Sequence, residues 1–180
     1  MSERWRRLGG EIVYDAGIFR VRRDAYEHEG RPTRPFHVLE SNAWINVVPV
    51  TPDGGIVLVR QFRHGIQEPT LEVPGGMVDQ RDADPAAAAV RELREETGHA
   101  GRPPELLGVV SSNPAILTNR THCFVVRDAK PVGAPDPDPH EDVTVEVHPV
   151  GRVREMVLGG EIHHSLSACA LLLFFLRTDA

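Results

Sequence analysis

Short runs rich in β-branched and aliphatic residues alternate with turn-forming clusters along this chain, and three segments carry a helical pattern instead. Residues 11–14, 17–28 and 35–41 read as strands separated by Asp15-Ala16 and by the turn Glu29-Gly30-Arg31-Pro32. They make a hairpin-rich N-terminal unit with few apolar residues on either face, which calls for a partner surface. Residues 45–51 and 56–62 form two apolar strands around Pro52-Asp53-Gly54-Gly55, a strong hairpin signal. Strands over 106–111, 121–127 and 143–147 follow from β-branched content and partial alternation. Residues 150–158, stopped by Gly159-Gly160, and 165–177 read as helices.

The most informative helix runs from Pro85 to Thr97. Asp84 is a good N-cap, Pro85 suits the first helical position and Gly98 suits the left-handed stop. At about 100° per residue, Glu92, Glu95 and Glu96 share one face, whereas Ala86, Val90, Leu93 and Thr97 form an apolar stripe beside it. The pattern as a whole predicts an α+β fold, a mixed sheet enclosed by a few helices. Residues 1–42 are expected to form a β-rich N-terminal segment and residues 43–180 the main domain.

Composition narrows the function. A chain of 180 residues, 41% apolar, buries a real core and is most simply one domain. Its net charge of −6 disfavours a protein that holds long nucleic acid by neutralising phosphates, while a small anionic ligand with a metal ion is readily accommodated. Cys123 and Cys169 lack metal or disulfide spacing. The first ten residues show no apolar core of a secretory signal, and the longest apolar run, 168–176, is too short to cross a bilayer. A cytoplasmic protein is expected. Residues 131–139, rich in proline and aspartate, read as a surface loop.

Three like charges at i, i+3 and i+4 repel unless something neutralises them. A hard divalent cation such as Mg²⁺ removes that repulsion and takes oxygen ligands from one or two carboxylates, substrate phosphates and water. A solvated helix face is the plainer account of the same residues.

The stretch Arg91-Glu92-Leu93-Arg94-Glu95-Glu96-Thr97-Gly98 matches the second half of the Nudix hydrolase signature, G-x5-E-x7-R-E-U-x-E-E-x-G-U, with U a bulky apolar residue. In the first half, Gly76 plus six places Asp82 at the signature glutamate, whereas counting back from Arg91 places Ala83 there. The loop is one residue longer than the consensus, and His99 stands where an apolar residue is usual. Arg60-Gln61-Phe62-Arg63 and Leu71-Glu72-Val73-Pro74-Gly75-Gly76 resemble the approach to the signature in the ADP-ribose pyrophosphatase branch. With Asn113-Pro114, the resemblance spans residues 43–147.

The resemblance implies a Nudix-type α/β/α sandwich, with Mg²⁺ (or Mn²⁺) held by Glu92, Glu95, Glu96 and a carbonyl at Gly75. Glu92 and Glu96 would be catalytic, and Arg91 would orient a catalytic glutamate. An i, i+4 pair with Glu95 is available to it. Arg63 is a candidate to grip a diphosphate with its planar fork, and Arg60 is a second candidate, read as lying on the same strand face. Glu72 would serve the substrate or the metal shell, Pro114 marks ADP-ribose-type substrates, and Glu141 would swing in from its loop as a base or ligand. Asn119-Arg120 departs from the Asp-Glu pair of many ADP-ribose hydrolases. His163 and His164 read as surface or helix-start residues, His99 as a cation just past a helix end, and Trp44, Phe19, Tyr26 and Phe36 as core or interface.

The implied reaction is hydrolysis of the pyrophosphate bond in a nucleoside diphosphate derivative, ADP-ribose or a nucleotide sugar, to a nucleoside monophosphate and a sugar phosphate. A house-cleaning nucleoside triphosphate pyrophosphatase and a non-catalytic nucleotide sensor are the alternatives. The partners expected are this small molecule and a second copy of the chain, paired through residues 1–42 to give a homodimer; neither long nucleic acid nor a membrane is among them.

Overall fold

The computed structural model describes residues 4–137 and 142–178. Its backbone divides into two compact units: residues up to Asn42 together with Ser111–Arg120, and Ala43–Val110 together with the chain from Thr121 onward.

In the first unit β1 (Trp5–Asp15), β2 (Arg20–His28), β3 (Arg31–Pro32) and β4 (Phe36–Glu40) form one sheet, in which β1, β3 and β4 all pair with β2. The β2–β3 turn sets Glu29 and Gly30 at φ of 53° and 76°, the left-handed geometry whose twist suits a tight hairpin. β1 begins well before residue 11, where the apolar pattern placed it. Its early residues are held by ion pairs across the ladder: Arg6 Nε to Glu27 at 2.7 Å and Arg7 Nη2 to Asp24 at 2.8 Å. Asp24, fully buried, also takes Arg22 Nε at 2.7 Å and Nη2 at 2.9 Å. Opposite it, a Cβ on Gly10 would stand 2.0 Å from Asp24 Oδ1, so only glycine leaves room for the carboxylate. Trp5, Tyr26 and Phe36 pack edge to face with centroids 5.6–6.4 Å apart, which gives two of the unassigned aromatics a structural role.

The second unit contains β5 (Trp44–Val50), β6 (Gly55–Arg63), β7 (Glu68–Glu72), β8 (Gly75–Met77), α1 (Pro85–Thr97), β9 (His99–Ala100), β10 (Glu105–Ser111), β11 (Arg120–Arg127), β12 (Lys130–Pro131), β13 (Val143–Pro149), α2 (Val150–Leu158) and α3 (Ser165–Thr178). Strand order is β10-β11-β5-β6-β13, with β11 parallel to β5 and β6 antiparallel to β5, β7 and β13. β5 is buried on both faces. Ile45 and Val47 pack with Ala88, Ala89 and Leu93 of α1, while Val48 packs with Val153 and Met156 of α2 and with Leu171 and Phe174 of α3. Helices thus cover both sides of a mixed sheet, as expected of the α/β/α sandwich.

Two features depart from the sequence reading. Of the stripe expected on α1, Leu93 and Thr97 are buried and Ala86 packs against the core, but Val90 is 48% exposed and Ala88 and Ala89 take its place. Two alanines let the helix lie close to the sheet, where a bulky-residue pattern looks for Val90. The second departure is the pair β7 and β8, too short and too polar to register as strands. β5 and β6 share only the pair Val50↔Ile56 and then part. β6 continues against β7, from Val59↔Glu72 to Arg63↔Glu68, and β5 continues against β8, from Trp44↔Met77 to Asn46↔Gly75. The Glu72–Gly76 segment therefore lies in a split of the sheet, tied to β5 by Val47 N donating to Pro74 O at 2.9 Å.

Candidate active site

The ends of α1 are set as its sequence indicates. Asp84 accepts from Ala87 N at 2.8 Å, and Gly98, at φ 67°, donates its N–H to Arg94 O. Anchored through its alanines, the helix brings Arg91, Glu92, Glu95 and Glu96 to the sheet split. Glu96 is buried, and its Oε2 accepts from Gly75 N at 2.9 Å. Glu92 lies against Gly76, where a Cβ would stand 2.1 Å from its Oε1. The glycine pair thus admits two helix carboxylates to the backbone of β8.

Arg91 organises this face. Nη1 donates to Glu92 Oε1 and Glu95 Oε2, each at 2.9 Å, Nη2 to Met77 O at 3.1 Å and Asp82 Oδ2 at 2.9 Å, and Nε to Asp82 Oδ1 at 3.0 Å. All five of its N–H groups meet protein oxygens. Hydrogen bonding to Asp82 is the largest cause raising its pKa, and the same contact holds the Asp82 carboxyl below the usual range. Of the two positions counted for the signature acid, Asp82 lies against Arg91, and Ala83 lies between Asp82 and the N-cap Asp84.

Among the described residues no group of three or more Asp, Glu, His or Cys side chains stands ready to enclose a cation. The three glutamates expected to hold one are brought together by α1, but Glu92 and Glu95 turn to Arg91 and Glu96 turns to Gly75 N. Each carboxylate is thereby satisfied by a protein donor. The donor set is nevertheless all oxygen, two of its members sharing one guanidinium nitrogen. That chemistry fits a hard divalent ion that completes its shell with substrate phosphate and water.

Arg63 and Glu72 form a second assembly. Arg63 donates Nε and Nη2 to the two oxygens of Glu72, both at 2.6 Å, and Thr70 Oγ1 also donates to Glu72. Glu72 is almost fully buried; burial raises its pKa, but hydrogen bonds from Arg63 and Thr70 prevail and the net shift is downward. His164 Nδ1 lies 3.3 Å from Glu72 Oε2. The His164 ring is half-buried, and burial drives its pKa down against the pull of Glu72.

Other expected residues fall elsewhere. Arg60 and Arg63 are three places apart on a strand of period two, so they occupy opposite faces, correcting the expectation of a shared one. Arg60 Nε pairs with Glu146 at 2.6 Å, and His148 Nε2 lies 2.8 Å from the same carboxylate. Pro114 is exposed on the Ser111–Arg120 segment of the first unit. Glu141 lies outside the described residues. His99 lies just past the end of α1, as expected, and is buried there, its Nδ1 2.8 Å from Thr97 O. Thr70 was not singled out from sequence, and His164, read as a surface or helix-start residue, does stand at the start of α3 but was not expected against Glu72.

The NUDIX domain family profile matches residues 42–165. An ADP-ribose pyrophosphatase of Mycobacterium tuberculosis is 27% identical over 92% of this chain and 80% of its own length. The ADP-sugar pyrophosphatase of Mus musculus is 34% identical over 63% of this chain and 55% of its own. A crystal structure of an ADP compounds hydrolase superimposes with a TM-score of 0.85 at 21% identity, covering 99% of this chain and 97% of that one, which establishes the likeness of fold. With the signature residues Arg91, Glu92, Glu95 and Glu96 gathered on α1 and the profile spanning most of the chain, this protein belongs to the NUDIX domain family and is a hydrolase of that family.

Proposed function

We propose that this chain is a divalent-cation-dependent pyrophosphohydrolase of nucleoside diphosphate derivatives, with ADP-ribose as the first substrate and nucleotide sugars the second. The observation that carries this reading is the Arg91-ordered carboxylate face of α1 set against the Gly75–Gly76 backbone. The names of the relatives, ADP-ribose pyrophosphatase and ADP-sugar pyrophosphatase, support the substrate class. Glu92, Glu95 and Glu96, with the Gly75 carbonyl, would hold Mg²⁺ or Mn²⁺. When bound, such an ion neutralises charge on the diphosphate and lowers the pKa of a coordinated water.

The chain's own residues supply the rest. Arg91 keeps the Glu92 and Glu95 side chains in place, and Arg63, oriented by Glu72, offers a planar cation to a diphosphate. Water adds to one phosphorus, the P–O–P bridge breaks, and the departing phosphate leaves as part of a sugar phosphate or nucleotide. Glu141 is assigned the assisting base. We further propose a homodimer assembled through residues 1–42, supported by exposed apolar side chains along β1, among them Trp5, Leu8 and Tyr14.

Rates on ADP-ribose, nucleotide sugars and nucleoside triphosphates, each with Mg²⁺ and with chelator, test the reading. Release of nucleoside monophosphate from a diphosphate derivative only with the metal is the expected result. A higher kcat/KM for a triphosphate than for every diphosphate derivative would transfer the assignment to a house-cleaning pyrophosphatase. Ligand binding without turnover would indicate a sensor.

A further inference from the structure

Glu72 is buried against two different parts of the second unit. On one side Arg63 clasps both of its oxygens at 2.6 Å. On another it meets His164, whose Nδ1 is 3.3 Å from Oε2. His164 is the residue that opens α3: its carbonyl accepts from Ala168 N at 2.9 Å, and its ring Nδ1 lies 3.4 Å from Ser167 N and 3.1 Å from Ser167 Oγ. A carboxylate only accepts, so Nδ1 carries the proton toward Glu72, and it then reaches the helix through Ser167 Oγ rather than as acceptor of the Ser167 N–H. Ser167, itself buried, accepts from Val73 N at 3.3 Å, so the first turn of α3 is fastened to the residue that follows Glu72.

The geometry points to His164 as a positioning residue: one ring nitrogen joins the first turn of α3 to the Glu72 carboxylate and fixes the rotamer through which Glu72 orients the Arg63 guanidinium. The cause is packing as much as charge. Glu72 ends β7, paired with Val59 of β6 beside the split where β5 and β6 no longer pair. Thr70 of β7 and Arg63 of β6 hold its carboxylate from within the ladder, and His164, the residue before α3, reaches it from outside. This inference deepens the proposed function, since it rests on Arg63 binding the diphosphate.

The test uses the full chain and two readouts: KM against kcat for ADP-ribose with Mg²⁺, and NMR proton exchange at Arg63 Nε–H, assigned by its loss in Arg63→Lys. His164→Ala should raise KM roughly tenfold with little change in kcat, the scale of weakening one charged hydrogen bond, and should speed Nε–H exchange several-fold. His164→Asn should restore both, because its amide N–H can replace the Nδ1–H that faces Glu72. Ala168→Gly, which weakens the same helical turn without touching Glu72, should lower Tm and leave the exchange unchanged. Unchanged Nε–H exchange in His164→Ala overturns the inference. So does an unchanged KM in that variant when Arg63→Ala raises it. Should Arg63→Ala itself leave KM unaltered, the diphosphate-binding reading of Arg63 falls, and the exchange measurement decides the role of His164 alone.

Discussion

Arg91 bonds five protein oxygens with five N–H groups, and two of those bonds run to Asp82. The signature carries a glutamate close to this position; here the carboxylate that reaches Arg91 is an aspartate on a loop one residue longer than the consensus. Asp82→Ala should leave a half-buried guanidinium short of two acceptors, lowering both Tm and kcat, the latter roughly 10- to 100-fold, since one to three kcal/mol is typical of an orphaned charged partner. Asp82→Glu should be intermediate, and Asp82→Glu combined with deletion of Ala83 should recover most of the rate. Parallel thermal melts and steady-state assays decide it. Glu96→Gln keeps an oxygen for Gly75 N–H and should preserve Tm while cutting kcat by roughly 10² to 10⁴, the range for losing a metal ligand or positioned base. Unchanged kcat at saturating Mg²⁺ would refute the assignment of Glu96. Glu141→Gln should cost less than Glu96→Gln if that residue only assists.

At the scale of elements, the β1–β2 ladder is stapled by a buried carboxylate. Hydrogen bonds from Arg22 and then Arg7 bring the Asp24 pKa down from 3.8 to about 2. A folded-state pKa below the unfolded one means stability that is present above pH 3.8 and lost as pH falls through 2. Asp24→Asn should therefore be less stable at neutral pH, and its urea midpoint should fall less than that of the wild type between those two pH values. α1 offers a simpler case. Asp84 caps its first turn, so Asp84→Ala should cost about 1 kcal/mol, read as a lower denaturant midpoint with an unchanged m-value.

For the whole molecule, the first unit exposes apolar side chains on a strand of 11 residues: Trp5 at 50%, Leu8 at 51% and Tyr14 at 60%. A four-stranded sheet with that much exposed apolar side chain is a poor candidate for life alone in water. Light scattering at micromolar concentration should give twice the chain mass, and removal of residues 1–40 should yield monomer with reduced activity. A monomeric full chain, with activity unaffected by that deletion, would remove the dimer. No helix among the described residues is long and apolar enough to cross a membrane.

The features legible in the sequence are those built from neighbours. Asp84, Pro85 and Gly98 bound α1 because capping acts within one turn, and Glu92, Glu95 and Glu96 share a face because the helical period is local. The turns at Gly30 and Gly54, the helices α2 and α3 and most long strands were legible for the same reason. What the tertiary structure decided is pairing between distant segments. β7 and β8 exist because β5 and β6 part after Val50↔Ile56 and leave backbone groups to satisfy. That split, which no local pattern encodes, brings Gly75 to Glu96, Gly76 to Glu92 and Glu72 to both Arg63 and His164. The choice of Asp82 over Ala83 likewise depended on how a loop folds back onto Arg91, a matter of reach in three dimensions that spacing alone leaves open.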